Sequence, residues 1–207
     1  MTIAVDLKNR FLDALSFVIS GIFSPYLLSV FFVLAVAFIS TVDVTKFLPW
    51  ILVGLFFLAA VPIIYIFWLH ETDQISDLHM SNHQERKLPF LVSAVSALIG
   101  VIILFLMHAA TPILAVTTAY AVNALVICGV TLYWKISIHS ASFAASALIL
   151  MLFFGAKFWP LFLFWIPLAW ARVHRKKHTP DQVLAGAVLA TLLTIIVFYA
   201  FGYKIGG

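Results

Sequence analysis

The sequence predicts an all-α fold: a polytopic transmembrane bundle of six to seven spans, with an N-terminal helix lying at the membrane interface. Three observations carry that expectation. Charged residues make up 10% of the 207-residue chain, where a soluble domain carries about 25%. Apolar types reach 64%, with a mean hydropathy of +1.14. The apolar runs are continuous and lack the period-2 alternation of a membrane β-barrel. Lipid offers the backbone no hydrogen-bond partner, so helices are the remaining way to cross it. At about 20 residues per crossing, the chain makes one membrane domain, residues 1–207.

The first 20 residues carry Asp6, Lys8, Arg10 and Asp13. Leu7, Phe11, Ala14, Leu15 and Val18 share one helical face, the pattern of an interfacial helix. The acids argue against a signal peptide. Seven apolar runs follow, at about Pro25–Ile39, Pro49–Leu69, Pro89–Met107, Pro112–Tyr133, His139–Phe154, Leu161–Ala171 and Val183–Phe201. Proline opens the first four runs, where its missing N–H costs a helix nothing. Gly155, Lys157 and Pro160 break the chain between the fifth and sixth. The sixth run is short, and its ends would snorkel.

Seven crossings put the N-terminus and the segments 70–88, 134–139 and 172–182 on one face. That face carries Lys8, Arg10, Arg86, Lys87, Lys135, Arg172, Arg175, Lys176 and Lys177. The other carries only Lys46, Lys157 and Lys204. The positive-inside bias then places the first face, and the N-terminus with it, in the cytoplasm of a multi-pass cell-membrane protein. The net charge of +4 is explained by this bias and by anionic headgroups, so no nucleic-acid partner is expected. The lone Cys128 excludes a disulfide framework or a cysteine metal cluster. Oligomeric state is not legible.

Three polar stations share the basic face. The first is Asp77-Leu-His79-Met-Ser-Asn-His83-Gln-Glu-Arg86-Lys87-Leu-Pro89. The second is Trp134-Lys135-Ile136-Ser137-Ile138-His139. The third runs Arg172-Val-His-Arg175-Lys176-Lys177-His178-Thr179-Pro180-Asp181-Gln182-Val-Leu-Ala-Gly186. Arginine forks match phosphate oxygens. Two histidines could divide the work, one attacking phosphorus and one protonating the leaving oxygen. The chemistry this suggests is phosphoryl transfer, with a lipid phosphate as partner.

At these stations the chain resembles the type 2 phosphatidic acid phosphatase superfamily, whose motifs read KxxxxxxRP, PSGH and SRxxxxxHxxxD. Arg172, five residues and His178 match the third, with Val-Leu-Ala-Gly after it. Ser137 and His139 match the Ser and His of the second. Arg86 matches the Arg of the first, with His79 in the lysine position and Pro89 displaced by two residues. The resemblance runs from about residue 70 to the C-terminus, a phosphatase-like core over 70–207. It implies His178 as nucleophile through a phosphohistidine and His139 as general acid. Arg172 and Arg86 would clamp the phosphate, assisted by Ser137, Lys135 and His79. It implies no metal and no cofactor. The family's orienting acid falls on Gln182, with Asp181 one residue early. His-Thr followed by Gln-Val is similar to dolichyl-diphosphate phosphatases, which tilts the substrate toward an isoprenoid diphosphate over a phospholipid monophosphate.

Two other readings compete. The altered second motif and Gln182 suit a non-catalytic lipid-binding or transport descendant of the same scaffold. Asp73 and Asp77, four apart, resemble half of the paired magnesium motif of intramembrane prenyltransferases. His79 and His83 share that spacing, which is metal-ligand geometry on a helix, though a solvated loop is the plainer account.

Overall fold

The computed structural model describes residues 2–40, 44–76 and 84–203, and all regular structure among them is helical. Helix α1 (Thr2–Ile22) leads into α2 (Pro25–Ser40). The break between them comes at Ser24, whose hydroxyl accepts the Leu27 N–H at 3.2 Å, followed by a proline at the first helical position. The apolar face expected on α1 points outward: Leu7, Phe11, Ala14, Leu15 and Val18 are exposed, while Ser16 and Ser20 are buried. Asn9, Arg10 and Asp13 are exposed as well, so the outer surface of α1 is mixed. The stretch Asn9–Leu28 is itself long and apolar enough to cross a membrane.

The second expected run is one continuous rod with a defect. Helix α3 (Val44–Leu55) passes through a π turn, Phe56–Ala60, into α4 (Val61–Glu71). Within the turn the Val61 N–H reaches back five residues to the Phe56 carbonyl. That releases the Phe57 carbonyl from the helical ladder, and the Ser96 hydroxyl of α5 (Lys87–Leu106) donates to it at 2.6 Å. One turn on, Gly100 lets the helices meet: a Cβ there would sit 2.7 Å from the Phe57 Cβ. A π turn is thus stabilised by its neighbour's hydroxyl.

Helix α6 (Thr111–Thr131) follows a turn in which His108 takes a φ of 52°. Helix α7 (Ile138–Phe154) ends at Gly155, whose φ of 92° only glycine adopts readily. A 3-10 segment, Ala156–Phe164, and α8 (Trp165–His174) then bring the chain back. The sequence places a single short apolar run here. The 3-10 segment covers more length than an α-helix of the same residue count, because it rises about 2.0 Å per residue against about 1.5 Å. Helix α9 (Pro180–Ala200) closes the fold.

The core lies between α6, α7 and α9. Ala141 and Ala145 of α7 pack with Ala190 of α9, small residues that let membrane helices approach closely. Asn123 of α6 donates to Thr194 of α9 at 3.2 Å, and the Tyr120 hydroxyl pairs with that of Ser146 at 2.8 Å. Among the described residues, five helical stretches are long and apolar enough to cross a membrane: Asn9–Leu28, Phe47–Glu71, Lys87–Leu106, Thr111–Thr131 and Pro180–Ala200; Ile138–Phe154 is apolar but shorter. Ile64, Ile102, Phe105, Leu192 and Ile196 are exposed on these rods, so the chain is a helical membrane protein.

Candidate functional site

The third station is built by two opposed helix ends. Helix α8 stops in a Schellman motif: the Lys177 N–H donates to the Arg172 carbonyl at 3.2 Å and the Lys176 N–H to that of Val173 at 2.9 Å. Lys176 takes the left-handed position, φ 52°, that glycine usually fills. The turn folds His178 back over Arg172, whose carbonyl also accepts the His178 N–H at 3.4 Å. Helix α9 then starts with a reciprocal capping box. The Gln182 N–H donates to the Thr179 hydroxyl at 3.4 Å, and the Thr179 N–H donates to Gln182 Oε1 at 3.2 Å. The same Oε1 lies 3.2 Å from Nδ1 of His178.

The second station is locked to the third through backbone. The Ser137 N–H donates to the Gln182 carbonyl at 3.1 Å. The Ser137 hydroxyl caps α7 by accepting the Ser140 N–H at 3.4 Å. Ser140 in turn donates to the Val183 carbonyl and accepts from Trp165 Nε1, both at 2.6 Å. Gly186 sits where a Cβ would lie 2.5 Å from the Ser137 carbonyl oxygen. Glycine in the Val-Leu-Ala-Gly run is therefore what lets α9 press against this loop. His139 follows on the first turn of α7.

The first station enters on a single 3-10 turn, Gln84–Arg86, at the head of α5. The Glu85 carboxylate accepts from the N–H and the hydroxyl of Ser76, each at 3.0 Å. That contact pins the segment after α4 to the start of α5.

Arg86, His139, Arg172 and His178 line one cavity of about 300 Å³. Its walls continue through Ser20, Ser24 and Tyr26 of the α1–α2 junction and through Tyr120, Asn123 and Ser142 of α6 and α7. No acidic residue is found among the described residues lining it. Arg86, Arg172 and His178 are only 5%, 4% and 8% exposed. Nε and Nη1 of Arg172 are buried without a hydrogen-bond partner. A buried guanidinium with two unpartnered nitrogens is costly, and an anion reaching Arg172 would relieve that cost.

Electrostatics set the state of His178. Burial, then the charges of Arg172, Arg86 and Lys135, push its pKa down to about 3 against the Gln182 hydrogen bond, which raises it. The ring is neutral near pH 7. The Lys135 ammonium, half-buried in the 134–137 loop, is likewise lowered by burial and by Arg86, Lys177 and Arg172. It belongs to the same field although it does not line the cavity.

The remaining sequence-predicted residues fall into place differently. Ser137 is fully buried as a helix cap and is not among the cavity-lining residues. Gln182 contacts His178, while Asp181 is exposed on the first turn of α9. Asp73 is exposed beyond α4 and is not among the lining residues. His79, Asp77 and His83 lie outside the described residues. No cluster of three or more His, Cys, Asp or Glu suited to a metal occurs among the described residues.

Sequence reasoning missed the contribution of residues 20–26, which it left outside the 70–207 core. The available signal was the Gly21, Ser24, Pro25 cluster interrupting an apolar stretch. It also missed Asn123, an amide in the middle of an apolar run, which is a functional candidate by default. Comparison with protein-family models, with curated proteins and with solved structures returns no match for this chain.

Proposed function

We propose that the protein is an integral-membrane phosphatase acting on a lipid phosphate or isoprenoid diphosphate through a phosphohistidine, without a metal. The observation that carries this reading is the meeting of Arg86, His139, Arg172 and His178 on one buried cavity from three separated stretches of chain. The guanidiniums bind the phosphate oxygens. Nε2 of neutral His178 attacks phosphorus while the bond to the leaving oxygen breaks, and His139 protonates that oxygen. A water then attacks the phosphohistidine, giving its proton to His139, and the N–P bond breaks to free His178. Charge spread over the equatorial oxygens in both steps is met by Arg86, Arg172 and Lys135.

The membrane arrangement belongs to the same proposal. Seven crossings, with α1 starting at the interface, return each station to one side. The Asp13–His174 pair, 2.8 Å apart, supports holding α1 at the level of the third station. The station face is assigned to the cytoplasm on the lysine and arginine distribution.

The test is phosphate release by purified protein from phosphatidic acid, phosphatidylglycerophosphate and polyprenyl diphosphate with EDTA present. Loss of release in His178→Ala is expected, and full activity in that variant sinks the nucleophile. Strict magnesium dependence with loss in Asp73→Ala would favour the prenyltransferase chemistry instead. Labelling of single cysteines at positions 43 and 176 tests orientation: reaction from outside at 176 alone overturns it.

A further inference from the structure

Two polar atoms of cavity-lining residues are left over by the phosphate chemistry. Oδ1 of Asn123 and Oγ of Ser20 are buried without a hydrogen-bond partner, and both residues line the cavity, one on α6 and the other on α1. Asn123 is 6% exposed and Ser20 3%. The Asn123 amide cannot be turned to remedy this. Its Nδ2 donates to the Ala119 carbonyl at 2.9 Å, an oxygen that only accepts, so Oδ1 is held as a free acceptor.

Helix register gives the depth of that acceptor. Tyr120 meets Ser146 at 2.8 Å, and Ser146 lies two turns along α7 from His139. Asn123 is one turn from Tyr120 back toward the station face. Asn123 therefore sits roughly 6 Å deeper than His139, at a rise of about 1.5 Å per residue. A group at that depth is a few bonds from a phosphorus held between Arg172 and His178.

We infer that the cavity takes a phosphorylated amphiphile with a hydrogen-bond donor, a hydroxyl or N–H, on the backbone next to its phosphate, received by Asn123 Oδ1 with Ser20 as a second polar contact. The inference rests on the phosphatase reading for the position of the phosphate. It turns the substrate class away from an isoprenoid phosphate or diphosphate, which presents hydrocarbon or phosphate oxygens there, neither of them a donor, and so leaves the Asn123 oxygen unpaired. A site built to pair a substrate hydroxyl discriminates strongly against the analogue that lacks it.

The experiment compares 1-acyl-glycerol 3-phosphate, with its free 2-hydroxyl, against the 2-deoxy analogue of the same acyl chain, with farnesyl phosphate as a third probe. Phosphate release and ligand-induced melting shift are both read. The expected kcat/KM preference for the hydroxyl lipid over the deoxy one is about tenfold or more, and Asn123→Leu brings the ratio close to one. Because Asn123 also ties α6 to α9, a purely structural fault would lower both rates and leave the ratio intact. Ser20→Ala, on α1, is the second variant and is expected to reduce the ratio in part. Equal handling of the two lipids by the wild type, or a preference untouched by both variants, overturns the inference. If neither lipid releases phosphate, the phosphatase reading fails by itself. The melting shifts then decide the inference alone: preference for the hydroxyl lipid upholds it, and equal shifts overturn it.

Discussion

Oε1 of Gln182 lies 3.2 Å from Nδ1 of His178, and that oxygen also accepts the Thr179 backbone N–H at 3.2 Å. A backbone N–H can only donate, so it fixes which end of the amide faces the ring. Nδ1 must then carry the proton, leaving the Nε2 lone pair for phosphorus. An ordinary helix-capping glutamine thereby selects a tautomer. It does so without adding negative charge, which leaves the low pKa of His178 in place.

Replacing that oxygen by a carboxylate should change the pH dependence. In Gln182→Glu a nearby anion favours the protonated ring, so the His178 pKa rises from about 3. Protonated His178 cannot attack, so the acid limb of phosphate release moves to higher pH. Gln182→Ala loses orientation without gaining charge, and its rate falls by about 10- to 100-fold with no upward move of that limb. Rate profiles from pH 4 to 8 separate the two.

Arg172 should show a trade between binding and stability. Its buried Nε and Nη1 have no partner. Arg172→Met removes an uncompensated charge while keeping volume, so the melting temperature without phosphate is expected to rise. The stabilisation by added phosphate or vanadate is expected to vanish, and turnover to fall by about 100-fold or more. Arg172→Lys keeps charge but loses the fork, and recovers only part of the rate.

Gly186→Ala places a Cβ 2.5 Å from the Ser137 carbonyl oxygen. Backbone meets backbone there, so no flexible side chain can yield. The loss of stability is expected at about 1–3 kcal/mol. Turnover should fall with it, because the same contact sets Ser137 and His139 against Gln182. Gly129→Ala, which meets nothing within 4 Å, is the control and should leave the melting temperature level or raised.

Acid should destabilise the fold through His178. Its folded pKa of about 3 is below its unfolded value of 6.5, so between these values the unfolded chain binds more protons. Stability therefore rises with pH across that window and is lost as pH falls through it. Melting temperature measured from pH 7 to 4 should decline, and the decline should be shallower in His178→Asn.

Much of the bundle was legible because membrane helices announce themselves in composition. The run His139–Phe154 became α7 at Ile138–Phe154, and Val183–Phe201 became α9 at Pro180–Ala200, since prolines, a glycine and helix caps mark their ends. Less legible was the α1–α2 region. Periodicity shows that Leu7, Phe11 and Val18 share a face; in the fold that face turns outward, and of the buried serines behind it Ser20 joins the cavity.

The sequence by itself determined that the chain is a helical membrane protein, that its charges gather at three stations, and that arginine and histidine recur there. Backbone hydrogen bonding in lipid permits little else, and charge cannot be scattered through hydrocarbon. Only the tertiary structure decided which of those residues share a cavity. Arg86, His139, Arg172 and His178 line one cavity although they come from three separated stretches of chain. Ser137 is spent on a helix cap, Asp181 faces outward, Asn123 is drawn in from a run that looked merely apolar, and Ser20 from the expected interfacial segment. Those outcomes depend on helix rotation and on contacts such as Gly186 against Ser137, which no local pattern encodes.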